Sequence, residues 1–400
     1  MRRILVIASL LLAGCKTIEY VEVPVPAPIP PPEAPRYGET GDRLNALIEE
    51  PFDETRAVDV FYATNRDGNA GCGDDEFGVE PAQGLRFGVC RLNVPKLHEV
   101  GAIDEASSPR DDPNRYYRLL RHFPSDEAAW TESLADSAIT DILVVVHGFN
   151  VRFKDAVHRA AQLAYDLKFQ GPVVLYSWPA GPRSGFSLIN RTYERNRANA
   201  EQSLPDASRL FDLLGRLPGK THVLVHSMGH QVVVPSLLGL AGPSQAADPF
   251  RLARASVPAR PVEVSDSLSA ARPALRFGQL ILNAPDIDLE VFRTSAASLT
   301  GIADRVTVYC SYNDNAIAAS EAFNDGRRLG ACERIDGVDV INVREIDAPA
   351  LGVAGLGHGY YASRPILTDV FQVLLGIDAR RRLFVRRSEP NSTEDYYLRR

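Results

Sequence analysis

Past residue 140 the chain repeats one alternation, a short β-branched run followed by a stretch with helical spacing, and this most limits what it can fold into. The runs are Ile142 to Val146, Val173 to Ser177, His222 to Val225, Gln279 to Leu282, Val306 to Cys310 and Val338 to Val343. The run from Ile142 is apolar throughout rather than alternating, as in a strand covered on both faces. Strands of that kind, separated by helices, build a mostly parallel, doubly wound sheet. Two earlier runs, Val58 to Ala63 and Leu85 to Val94, have no helix between them. They are expected to form an antiparallel N-terminal edge. Residues 55–376 are long enough to bury a large core within one such domain.

Two of the strand ends carry chemistry. The run Thr221-His222-Val223-Leu224-Val225 leads into His226-Ser227-Met228-Gly229, and a helical pattern follows from Gln231 to Leu240. This is the layout of a nucleophile elbow, in which a Ser on a tight strand-to-helix turn has its hydroxyl pushed into the open. Small residues are wanted two positions either side of that Ser, because backbone and helix approach closely there. Gly229 meets the requirement and Val225 departs from it. The second end is His147-Gly148-Phe149-Asn150, directly after Ile142 to Val146, with a helix beginning near Arg152 or Phe153. In hydrolases of this layout, such a turn supplies one backbone N–H of the oxyanion hole, and the residue after the nucleophile supplies the other. Phe149 and Met228 are the residues in those places. Asn150 and His147 are further candidates for the substrate site.

The base and the acid should follow in that order of function, with the acid before the His along the chain. Of the eight histidines, His358 alone lies well after Ser227, in the glycine-rich turn Gly355 to Tyr361. The acid is expected at the end of a late strand. Asp314 follows Arg305 to Tyr312 and is preferred; Asp286, after Leu280 to Ala284, is the alternative. Asp286 and Asp288 also suit a simpler role, capping a helix from Leu289.

With these residues in view, the chain resembles the bacterial "alpha/beta hydrolase of unknown function" family. The resemblance rests on HGFN, HSMG, NAPDID, the Tyr309–Ser311–Asp314 spacing and His358. It extends upstream to Val60 through Arg66, Phe87-Gly88-Val89, Val94-Pro95 and His98, and covers roughly residues 55 to 375. It implies an α/β-hydrolase fold and, by analogy, a serine hydrolase.

The N-terminus points to a compartment. Arg2 and Arg3 precede the apolar Ile4 to Leu12, and Leu12-Ala13-Gly14-Cys15 resembles a lipobox. The apolar run is too short to span a bilayer and has the layout of a signal peptide. Residues 1–14 are therefore expected to be cleaved and Cys15 to take lipid, anchoring the chain in the bacterial envelope. Lys16 resembles sorting to the outer membrane, facing the periplasm. Residues 15–54 include Val21 to Pro35, whose alternating prolines favour polyproline II. At roughly 3 Å per residue this gives a tether on the order of 40 Å. Residues 241–274, rich in Ala, Pro and Ser, suit a flexible insertion.

Cys72, Cys90, Cys310 and Cys332 remain once Cys15 is set aside. Four cysteines in an exported chain suggest disulfides, with three connectivities; the local pairs Cys72–Cys90 and Cys310–Cys332 require the least rearrangement. No Cys-x-x-Cys exists, and Ser227 stands between His226 and His230 where a zinc protease has its Glu. No metal or cofactor is expected. A net charge of −7 disfavours nucleic acid. Arg380 to Arg382, Arg386, Arg387, Arg399 and Arg400 make residues 377–400 read as a basic, solvated tail, with contact to anionic lipids as the lesser reading.

The expected chemistry is acyl transfer to water through Ser227, His358 and Asp314, on a small acyl substrate. Two other readings use the same fold: an acyltransferase, with an alcohol in place of water, and a non-catalytic envelope lipoprotein serving binding or assembly.

Overall fold

The computed structural model describes residues 55–73, 76–137, 140–182, 189–241, 275–346 and 358–399. The expected signal peptide, Cys15, the tether, the insertion from 242 to 274 and Gly355 to Gly357 lie outside the described residues.

Eleven strands form one sheet, in the order β10-β11-β9-β8-β7-β6-β4-β5-β1-β2-β3. They are β1 Thr55–Gly68, β2 Phe77–Pro95, β3 Arg118–Ser125, β4 Ile142–Val146, β5 Val173–Ser177, β6 Thr221–His226, β7 Phe277–Asn283, β8 Ala303–Cys310, β9 Asp339–Asn342, β10 Val385–Arg387 and β11 Tyr396–Leu398. From β1 through β5, β4 and β6 to β9 every neighbour is parallel, and β11 extends that run beside β9. β2 pairs antiparallel with β1, as the first two runs predicted; β3, which no run marked, adds a further antiparallel strand at that edge, and β10 is antiparallel at the other.

The helices are α1 Glu127–Ala135, α2 Phe153–Asp166, α3 Ile189–Gln202, α4 Leu204–Leu214, α5 His230–Leu240, α6 Leu289–Ile302, α7 Asn315–Asn324 and α8 Arg364–Leu374. β4 explains why its run is apolar throughout. Ile142, Val144 and Val146 enter the core shared with α3 to α6, while Leu143 and Val145 enter the core shared with α2 and α8. Each strand residue thus meets a helix layer, whichever way it points.

The expectation of a solvated tail is corrected. Residues 385–398 add β10 and β11 to the sheet, and Arg382 is only 2% exposed. Its Nη1 donates to Asp369 Oδ2 at 2.9 Å, and Tyr309 OH donates to the same oxygen at 2.6 Å. A buried cation needs such a partner, and Asp369 supplies it from α8. Arg380, Arg381, Arg386 and Arg387 do face solvent.

Both local disulfides form: Cys72–Cys90, with Cα atoms 6.0 Å apart, and Cys310–Cys332, at 5.2 Å. The first fastens the turn after β1 to β2. The second ties the end of β8 to the short turn Leu329–Ala331.

Candidate active site

The site lies at the carboxyl ends of the parallel strands, where open α/β sheets place their ligands. Ser227 follows β6 directly and has φ of +52°, a conformation that costs a non-glycine residue energy and puts its side chain on the outside of the turn. Val225 does not prevent this. Its side chain packs into the core beneath α5, and the close approach falls instead on two glycines. A Cβ on Gly229 would stand 2.6 Å from the His147 carbonyl oxygen, and one on Gly148 would stand 2.7 Å from Ser227 Cβ. The elbow and the HGFN turn are therefore packed backbone to backbone, and neither position admits a side chain.

The HGFN turn is held from below. Arg66, on β1 and fully buried, donates from Nε to Ser177 Oγ (2.9 Å) and from Nη1 to the carbonyls of Gly78 (3.0 Å) and Ala180 (2.7 Å). Its Nη2 reaches Val151 O (2.9 Å) and His147 Nε2 (3.1 Å). A guanidinium has five N–H donors, so this one is fully satisfied and grips both ends of residues 147–151. Because Arg66 only donates, His147 Nε2 accepts, and its Nδ1–H points to Gly148 O at 3.0 Å. Burial, with the Arg66 charge adding to it, pushes the His147 pKa down to about 3. Desolvation likewise lowers Arg66 to about 9, which leaves it cationic at neutral pH. His147 thus borders the cavity as a neutral, internally bonded ring stacked on Trp178. Asn150 has φ of +60°, and its N–H donates to Asn196 Oδ1 at 3.0 Å.

His358 Nδ1 lies 2.7 Å from Asp314 Oδ2. The other oxygen of Asp314 accepts the N–H groups of Ala316 and Ile317, each at 3.0 Å, capping α7. The Asp314 carboxylate is therefore immobilised by helix and disulfide-tied loop together. The His358 carbonyl in turn accepts from His226 Nε2 at 3.0 Å, and the His226 ring stacks on Tyr361 with centroids 4.0 Å apart. Burial, and then the neighbouring His358, lower the His226 pKa well below its ordinary value.

Asp286 does not make that contact. It is 4% exposed and receives Tyr193 OH (3.0 Å), Ser320 Oγ (2.5 Å) and Gln231 Nε2 (3.3 Å), with Arg328 Nε at 3.4 Å. Nor does it cap the following helix; Asp288 does, accepting from Glu290 and Val291 N–H at 3.0 Å.

Ser227, His358, Phe149, Asn150 and Asp286 all border one cavity of about 660 Å³. Met228 is buried beside it in the elbow turn. Among the described residues no cluster of three or more His, Cys, Asp or Glu is arranged to hold a metal. Sequence reasoning assigned no role to Arg66, Tyr193, Asn196 or His226. Arg66 stood in the Val60-to-Arg66 run that carried the family resemblance, and His226 stood beside the Ser.

A doubly wound sheet with these two glycine-packed turns at its carboxyl end defines an α/β hydrolase. The sequence profile described as "Alpha/beta hydrolase of unknown function" matches residues 124–377, and the chain belongs to that family. No curated protein and no solved structure matched the chain.

Proposed function

We propose that this protein is a serine hydrolase acting on carboxylic esters or related acyl substrates through an acyl-enzyme. The observation that carries the reading is the 2.7 Å bond between His358 Nδ1 and Asp314, made at the edge of the cavity that Ser227 also borders. With Asp314 accepting the Nδ1 proton, His358 Nε2 is left free to act as base. Ser227 Oγ attacks the acyl carbon while His358 takes its proton, and the carbonyl oxygen becomes an oxyanion. The N–H groups of Phe149 and Met228 bind that oxygen, each donor being worth on the order of 3 kcal/mol. His358 returns the proton to the departing alcohol. Water then repeats the sequence on the acyl-serine, with His358 as base, and releases the acid. The buried charge of Arg66 beneath the HGFN turn supports the same reading, because a fixed cation there favours negative charge developing above it.

The test is fluorophosphonate labelling of the purified chain, which requires an activated serine and no knowledge of substrate. Wild-type protein is expected to label and to hydrolyse short acyl esters. Ser227→Ala is expected to lose both while keeping its melting behaviour. Unlabelled wild-type protein would instead support a non-catalytic role for the fold, and labelling that persists in Ser227→Ala would move the nucleophile elsewhere.

A further inference from the structure

The polar groups in one wall of the cavity satisfy one another, and the large side chains beside them are apolar. Tyr193 OH donates to Asp286 at 3.0 Å and accepts from Asn324 Nδ2 at 2.9 Å, while Ser320 Oγ donates to the other Asp286 oxygen. With its hydroxyl fixed there, the Tyr193 ring stands between two phenylalanines. Its centroid is 5.8 Å from that of Phe149, on the HGFN turn, and 5.6 Å from that of Phe323, on the last turn of α7. The three rings form a row that starts beside the reacting centre and ends at the surface. There Phe323 is 46% exposed and Ile189, at the start of α3, is 55% exposed. Large side chains left bare at a cavity mouth are a mark of an apolar ligand.

α7 completes the wall. Ala316, Ala319 and Phe323 all border the cavity and share one helical face. The small residues lie nearest Asp314, which caps this helix, and the large one lies at the exit. From Ala316 to Phe323 the helix rises about 10 Å. The lining beside His358 differs in kind: Arg159 stands 5.8 Å from the Tyr361 ring, and Glu105 pairs with Lys154 at 2.6 Å.

We propose that the Phe149–Tyr193–Phe323 row and the α7 face form a trough for a medium-length fatty acyl chain, and that the substrate is an ester of such an acid with a polar alcohol. The assignment of a reaction rests on the hydrolase reading above; the trough itself does not. Asp286 is then a positioning residue for the acyl wall. It orients Tyr193 and engages the Ser320 hydroxyl.

Two measurements test this. In the Ser227→Ala protein, where no turnover intervenes, calorimetric titration should show octanoate binding at least tenfold more tightly than acetate. Adding Phe323→Asp, an exchange at a half-exposed position, should weaken octanoate binding at least tenfold with little change in melting temperature. With wild-type protein, kcat/KM for the octanoyl ester of glycerol should exceed that for the acetyl ester by ten- to a hundredfold, and Phe323→Asp should collapse the ratio. Octanoate binding no better than acetate, or octanoate binding untouched by Phe323→Asp, would overturn the trough. Failure of the two readings looks different. Octanoate binding in a chain that neither labels nor turns over would remove the hydrolase and keep the trough, whereas labelling and acetyl hydrolysis without gain from chain length would remove the trough alone.

Discussion

Asp314 and Asp286 both follow buried strands, yet their bonds assign them different work. Asp314 meets the His358 Nδ1–H, so Asp314→Asn keeps the size and loses the charge that holds the imidazole in its working tautomer. Turnover should fall about 10⁴-fold, or about 5 kcal/mol of transition-state stabilisation. Asp286→Asn leaves Arg328 and two hydroxyls without their carboxylate and should cost roughly 2 kcal/mol of stability, along with the preference for longer acyl chains. Its effect on acetyl ester turnover should be small beside that of Asp314→Asn. Steady-state kinetics and urea unfolding of the two variants decide the matter, and a reversed pattern would place the acid after β7. The placing of Ser227, His358 and Asp314 at one end of the sheet was legible in the sequence because chain order and strand ends are local signals. The parts of Arg66 and Tyr193 were not, since their meaning lies in contacts that only the folded sheet creates. Val225 misled for a related reason: the crowding assigned to its position is borne by Gly148 and Gly229.

At the level of elements, the central strands were legible because burial on both faces forces runs such as Ile142 to Val146, and the structure keeps those bounds. The edges were not. β3 reads Arg-Leu-Leu-Arg-His-Phe-Pro-Ser and is at most half-buried, while β10 and β11 are three residues each. β3 and β10 are edge strands that answer to one neighbour and to solvent, and β11 beside β10 is too short to show a pattern, so none carries a continuous apolar signal. The basic residues of 380–387 concealed one of opposite kind, Arg382, locked against Asp369 beneath α8. Removing one partner of such a pair leaves the other charge buried, so Arg382→Met should destabilise the fold by about 3–5 kcal/mol. Exposed Arg386→Met should change stability by less than about 0.5 kcal/mol. Equal urea midpoints for the two variants would return the segment to the role of a tail.

Across the whole molecule, two consequences follow from what the sheet encloses. The first is acid sensitivity. Burial depresses the pKa of both His147 and His230 to about 3. An unfolded histidine takes up its proton near pH 6.5, so the unfolded chain binds more protons between that pH and 3. Stability is therefore complete above about pH 6.5 and is lost as the pH falls through this window. Each of the two contributes on the order of 2 kcal/mol of loss at pH 5. The urea midpoint should drop accordingly between pH 7 and 5, and neither imidazole should titrate above pH 4 by NMR; a signal from His147 or His230 titrating near 6.5 would refute this. The second consequence concerns compartment. Two disulfides within the fold are at home where thiols are oxidised, which supports the proposal that the chain is exported and held by lipid on Cys15. Multiple acyl chains on one cysteine anchor firmly where a single chain binds only marginally. Cys15→Ser in the full chain should therefore move the protein from the membrane fraction to the soluble fraction of the envelope, with fluorophosphonate labelling unchanged. Exposed Arg380, Arg381, Arg386 and Arg387 offer a second, electrostatic route to an anionic surface, and such contact is screened by salt. If Cys15→Ser stays with membranes in low salt and leaves them at high salt, the arginines hold it; if it stays in both, the lipid anchor is wrong.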